Sequence, residues 1–152
     1  MEIMTPYFII AAKLVGALLV GGLLGLERRL AGKTAGLRTY ALVSLGSALF
    51  IIIAELVGER YVGLTAFDPL RVASQIIVGI GFLGAGTIIF RDGGVSGLTT
   101  AAGLWVAAGL GMAMGYGLYV LALMATLLTL MIFTLLWYLE ERLEPVNKHG
   151  QQ

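Results

Sequence analysis

Residues Val78 to Gly94 read VGIGFLGAGTIIFRDGG and contain a literal Gly-x-Gly-x-x-Gly at Gly79, Gly81 and Gly84, with a further glycine at Gly86. Such a fingerprint holds a dinucleotide when a strand runs into the first glycine and a helix opens at the third, so that the helix N-terminus meets the pyrophosphate. Here the glycines lie inside an apolar run instead. Val72 to Phe90 is nineteen residues without a charge, a length that suits a membrane span. The acidic residue expected about 20 positions after the motif is missing, because Asp92 follows too soon. The stretch therefore reads as a membrane helix whose glycines serve packing.

The rest of the chain agrees with a membrane solvent. Its 152 residues are 59% hydrophobic and 12% charged, with a mean hydropathy of +0.93, whereas soluble domains carry about 25% charged residues. A net charge of +1, with arginines scattered over short loops, gives no footprint for nucleic acid. Cysteine is absent, which removes disulfides and thiolate chemistry. The first apolar segment lacks the basic start and small-residue cleavage site of a secretion signal and is read as retained.

Length and charge interruptions predict an all-α, polytopic bundle of about five spans: 7–26, 39–56, 72–90, 98–114 and 118–139, followed by a short polar tail, 140–152. The last two spans come from one uncharged run of 47 residues, Gly93 to Leu139. At about 1.5 Å per residue that run is too long for one crossing of a ~30 Å core, so it turns at Gly115-Tyr116-Gly117. The fourth span is short, and a re-entrant course is its alternative. Basic residues set the orientation. Arg28, Arg29, Lys33, Arg38, Arg91, Arg142 and Lys148 fall on one side against Arg60 and Arg71 on the other, which predicts the N-terminus outside and the C-terminus in the cytoplasm.

Membrane helices approach closely through small residues, because lipid supplies no hydrophobic drive between them. Ala17, Gly21 and Gly25 form a ridge on the first helix. On the third, Gln75, Gly79, Phe82 and Gly86 share one face, while Ser74, Gly81, Ala85 and Ile88 share another. Two smooth faces, with Gly84 in the same run, predict a central third helix and a protein that binds helical partners, including a second copy of itself.

Ionisable groups at membrane depth are candidates for function. Lys13 and Glu55 fall toward the outer ends of the first two helices and Gln75 opens the third, which predicts a Lys13–Glu55 pair with Gln75 nearby. The cytoplasmic end gathers Glu27, Arg28, Arg38, Arg91, Asp92, Thr99 and Thr100. A Glu27–Arg38 pair is expected there, with Asp92 beside a neighbouring arginine. Glu27 and Asp92 are also the candidates for a hydrated Mg²⁺, which needs one or two protein oxygens. ERRLAGKT, Glu27 to Thr34, ends like a phosphate-binding loop but has Glu27 in place of its first glycine and a membrane helix in place of its strand. His149 is the single histidine, so no histidine-based triad or zinc site can be built, and no catalytic set is predicted.

GLERRLAGKTAGLRTYALVSLGSALF, followed by GIGFLGAGTIIFRDGGVSGLTTAAGLWVAAGLG, resembles the N-terminal membrane domain of the MgtC/SapB family of bacterial inner-membrane proteins. The likeness runs from about Leu14 to Leu139, and the family's charged positions fall on Glu27, Arg38 and Asp92. It implies a multi-pass inner-membrane protein linked to growth at low Mg²⁺ and to acid or intracellular survival; separately, no cofactor is expected, with Mg²⁺ possible as a ligand. In some members it implies restraint of the proton-driven ATP synthase. Larger members carry an ACT-like C-terminal domain; a short member without it is expected here. The leading expectation is a non-enzymatic protein that acts through helix-mediated contacts with membrane partners and forms a homo-oligomer, a dimer first. The alternative is a small transporter or channel for Mg²⁺ or another cation.

Overall fold

The computed structural model describes residues 4–60, 68, 70–91 and 94–143. The polypeptide is an all-α bundle with one short hairpin: α1 (Met4–Leu30), α2 (Leu37–Arg60), α3 (Leu70–Ala85), β1 (Ile89–Arg91), β2 (Gly94–Ser96), α4 (Leu98–Gly115) and α5 (Tyr119–Met131). A π-helical turn, Ile132–Leu136, joins α5 to α6 (Trp137–Leu143). Four helical segments are long and apolar enough to cross a bilayer: Tyr7–Leu30, Leu37–Glu59, Leu98–Gly115 and Tyr119–Leu139. Leucine and alanine favour helix, and within lipid a helix satisfies every backbone polar group internally.

Glycine stops two of these helices. Gly32 and Gly117 take positive φ, 69° and 75°. Beyond α1, Lys33 N–H donates to the Arg28 carbonyl and Gly32 N–H to that of Arg29. Beyond α4, Leu118 N–H donates to Ala113 and Gly117 N–H to Met114. Both are Schellman closures, in which a left-handed residue lets the last carbonyls find donors. The second places the α4–α5 turn where the Gly-Tyr-Gly sequence puts it.

The third segment departs from expectation. α3 has 16 residues and is about 24 Å long, short of a ~30 Å hydrocarbon core. It ends at Ala85 rather than running to Phe90, and Ile89↔Ser96, Phe90↔Val95 and Arg91↔Gly94 then pair antiparallel. The physical cause lies in the following sequence. Two residues, Asp92-Gly93, separate the strands, and Asp-Gly suits a two-residue hairpin loop. Gly97 closes the unit with φ +93°, and a Cβ there would lie 2.9 Å from the Thr87 carbonyl carbon.

The centre of the bundle is α4, not α3. α4 touches α1, α2, α3 and α5 and buries ten residues, whereas α3 buries Ile80 and Gly84. Gly103, Ala107, Gly111 and Gly115 stand four apart along α4 and let it meet α2 backbone to backbone. A Cβ at Gly111 would overlap the Ser44 carbonyl, 2.7 Å from its carbon, and one at Gly115 would lie 3.0 Å from the Ala48 oxygen. Gly21 and Gly25 do the same for α1 against α2, where a Cβ would meet the Tyr40 oxygen at 2.6 Å and Leu37 Cα at 2.7 Å respectively. Ser44 Oγ crosses this seam to donate to the Ala17 carbonyl at 2.7 Å. By contrast, Cβ atoms at Gly79 and Gly81 would meet nothing within 4 Å, one at Gly84 would touch Ala101 at 3.7 Å, and one at Gly86 would meet carbonyls of its own chain turn, the nearer at 3.4 Å. The two smooth faces expected on α3 are therefore not packing faces within the chain.

Gly111→Ala should destabilise the protein by about 1–3 kcal/mol or more through overpacking. Gly109→Ala, where a Cβ would meet nothing within 4 Å, should be neutral or stabilising by up to ~1 kcal/mol from helix propensity. Thermal unfolding in mild detergent compares them, and equal midpoints would contradict the α2–α4 seam.

Candidate functional site

Two polar clusters lie at opposite ends of the bundle. At the end carrying the α1–α2 turn, the last turn of α1 supplies Glu27 and Arg28. Arg28 is 3% exposed. Its Nε donates to Glu27 Oε2 and its Nη2 donates to Glu27 Oε1 at 2.7 Å. The guanidinium also stacks on the Phe133 ring, 3.7 Å from the centroid, and Nη2 reaches the Phe133 carbonyl at 3.4 Å. A planar, weakly hydrated cation suits such a fork-plus-stack site, where lysine would not. Phe133 belongs to the π-helical turn, so the changed backbone register of the last span meets the end of α1 at this contact.

Tyr40, on the first turns of α2, completes the cluster. Its hydroxyl donates to the Thr100 carbonyl at 3.3 Å. Gly103 leaves room for both rings, since a Cβ there would lie 2.8 Å from Phe133 Cζ and 3.1 Å from Tyr40 Cζ. Helices α1, α2, α4 and the π turn thus converge on one buried group of side chains.

Several sequence-predicted site residues stand elsewhere. The expected Glu27–Arg38 pair is absent, because both Glu27 oxygens accept from Arg28 while Arg38 is exposed. Thr100 is buried and Thr99 exposed on the first turn of α4, whose cap residue is Gly97. Asp92 and the Arg91 side chain lie outside the described residues, as do Lys148 and His149. Glu27 fits poorly as a Mg²⁺ ligand, since its carboxylate is occupied by a guanidinium that would repel a cation. Among the described residues no three His, Cys, Asp or Glu side chains group together.

At the other end, Lys13 Nζ on α1 donates to Glu55 Oε2 on α2 at 3.0 Å. The side chains are 15% and 35% exposed, so each charge is partly withdrawn from solvent and neutralised by the other. Tyr116, just beyond α4, lies close by. Burial raises its phenol pKa, and the Glu55 and Asp68 carboxylates add to the effect. Gln75 is not part of this cluster. It lines a lateral groove of about 590 Å³ between α2 and α3, with Leu42, Ser47 and Phe50 on one wall and Gly79 and Leu83 on the other.

Tyr40, Gly103, Gly111 and Phe133 were not singled out by sequence. The Gly103-x₃-Ala107-x₃-Gly111-x₃-Gly115 spacing could have revealed the α4 ridge. Nothing local reveals the Arg28–Phe133 contact, which joins residues 105 positions apart.

Arg28→Gln should cost about 3–5 kcal/mol, the range for breaking a buried pair and stranding its partner. Arg38→Gln should fall within about ±0.5 kcal/mol, as for a plain surface change. Unfolding in detergent separates the two, and a tolerated Arg28→Gln would show that the clamp contributes little.

The MgtC family model matches residues 14–142. YhiD of Escherichia coli K12, whose name assigns it provisionally to magnesium transport, is 42% identical over 97% of this chain and 69% of its own length. MgtC of Brucella abortus strain 2308 is 45% identical over 88% of this chain and 54% of its own length. MgtC of Salmonella typhimurium 14028s is 40% identical over 99% of this chain and 62% of its own length. The chain therefore spans little more than half to about two thirds of these relatives. No solved structure matches it. A family match across nearly the whole bundle, together with four helices able to cross a bilayer, makes this chain a member of the MgtC family and a multi-pass protein of the bacterial inner membrane.

Proposed function

We propose that this protein serves magnesium homeostasis as a non-enzymatic membrane component that binds other membrane proteins, a second copy of itself first, through the open side of α2 and α3. The observation that carries this reading is the groove between those helices. Gly46 and Gly79 stand on its walls, and a Cβ on either would meet nothing within 4 Å. Glycine is poor in a helix interior, and in membranes it marks places where another backbone comes close. The glycines of α1 and, Gly109 excepted, those of α4 meet neighbours inside the chain; those of the groove have surface left for a partner. Gln75, on the same wall, supplies an amide able to hydrogen-bond across helices. The link to magnesium comes from the family and from the name of the Escherichia coli relative. Adaptation to low Mg²⁺ or acid, and an ATP synthase partner, belong to this proposal through the family resemblance.

Gly79→Leu and Gly46→Leu fill the groove without touching the fold. Each should leave the unfolding midpoint unchanged or slightly raised and reduce self-association, read by energy transfer between labelled copies in liposomes, by about fivefold or more, equivalent to ~1 kcal/mol. A wild-type chain that stays strictly monomeric in bilayers would overturn the reading.

The name of YhiD favours a second reading, a carrier for Mg²⁺ or another cation, for which the partly buried Lys13–Glu55 pair would be the gate. Reconstituted vesicles decide it. A carrier moves Mg²⁺ faster than empty vesicles do and loses that flux in Glu55→Gln; the partner-binding reading predicts background flux for both.

A further inference from the structure

The turn between α1 and α2 carries a concentration of unpaired positive charge. Arg29, Lys33 and Arg38 are all exposed, and none has an ion pair among the described residues. The nearest carboxylate in sequence, Glu27, is held by the buried Arg28, so it does not offset them. The Schellman closure at Gly32 keeps the connection short, and the Arg29 side chain lies along Gly36, where a Cβ would be 3.4 Å from Arg29 Cβ. The three cations are therefore crowded at one end of the bundle. Beside them stand two large apolar side chains, Leu30 at 80% and Leu37 at 46% exposure.

This combination fits one environment. Leu30 ends one membrane-spanning helix and Leu37 begins the next, so both lie at the edge of the hydrocarbon, with the cations one step further out at headgroup level. The geometry points to a binding surface for anionic phospholipid on the α1–α2 turn, in which Arg29, Lys33 and Arg38 engage the phosphates of headgroups whose net charge is negative while Leu30 and Leu37 rest on the acyl chains. Basic side chains beside a membrane helix attract anionic lipid by a preference of about fivefold each. Arginine adds a planar fork that matches phosphate oxygens. The surface stands apart from the α2–α3 groove and does not depend on its having a partner.

The test uses the full chain in mild detergent with phosphatidylglycerol, phosphatidylcholine or inorganic phosphate added, and counts retained lipid by native mass spectrometry. The wild type should retain phosphatidylglycerol in preference to phosphatidylcholine, with inorganic phosphate failing to displace it. Lys33→Gln should lose about fivefold of that preference, and the Arg29→Gln/Lys33→Gln/Arg38→Gln variant most of it. Arg71→Gln, which removes a lone exposed cation on the first turn of α3 with Asp68 just before it, should lose less than Lys33→Gln. Equal retention of the two lipids, unchanged preference in Lys33→Gln, or displacement by inorganic phosphate would each overturn the assignment.

Discussion

The close approach of α2 to α1 and α4 is the constraint on which the rest of the molecule depends. Hydrocarbon solvates leucine as well as another leucine does, so these helices gain little by merely covering apolar surface. They gain by dispersion at short range and by hydrogen bonds that short range permits. Ser44 stands at the crossing. Its carbonyl occupies the space a Gly111 side chain would need, and its hydroxyl reaches the Ala17 carbonyl of α1. One residue of α2 therefore touches both neighbours, and glycine or alanine faces it from each side.

Polar interactions then close the two ends of that seam. Lys13 and Glu55 tie α1 to α2 at one end, and Arg28 ties α1 to the π-helical turn of the last span at the other. Ionised groups near a bilayer are costly when alone, and each of these is held against an opposite charge. What stays open is the lateral groove beside α3 and, at one end, the exposed basic turn between α1 and α2. The short α3 and its hairpin account for the first of these openings. α3 leans on the early part of α4 through Gly84 and Ala101 and leaves α2 uncovered along Gly46 and Phe50.

Much of this architecture is legible in the residues, for stated reasons. Long uncharged runs can be solvated by lipid alone, which is why the membrane class, the helical fold and the turn at Gly117 can be read without coordinates. Lys13 and Glu55 stand out as isolated charges within apolar runs. The α1 ridge is legible because Ala17, Gly21 and Gly25 are spaced by one helical repeat. α4 carries the same repeat at Gly103, Ala107, Gly111 and Gly115, yet the literal Gly-x-Gly-x-x-Gly of α3 draws the eye first. That motif points to α3 as the central helix, whereas α4 holds the centre. The hairpin was hidden by hydropathy, since Ile88, Ile89 and Phe90 are apolar in a strand as in a helix, and the informative pair was Asp92-Gly93. The Arg28–Phe133 contact depends on a π turn and on chain ends far apart in sequence, so no local pattern could disclose it.

Solid-state NMR of the isotopically labelled protein in lipid bilayers tests the central claim directly, through carbon–carbon correlations between glycine and serine backbones. A cross-peak between Gly111 Cα and Ser44 Cα, with none linking Gly79 or Gly81 to another helix of the same chain, is the result expected of a bundle organised around α4. The reverse pattern, with Gly111 free of Ser44 and the α3 glycines in contact with α2, would contradict it.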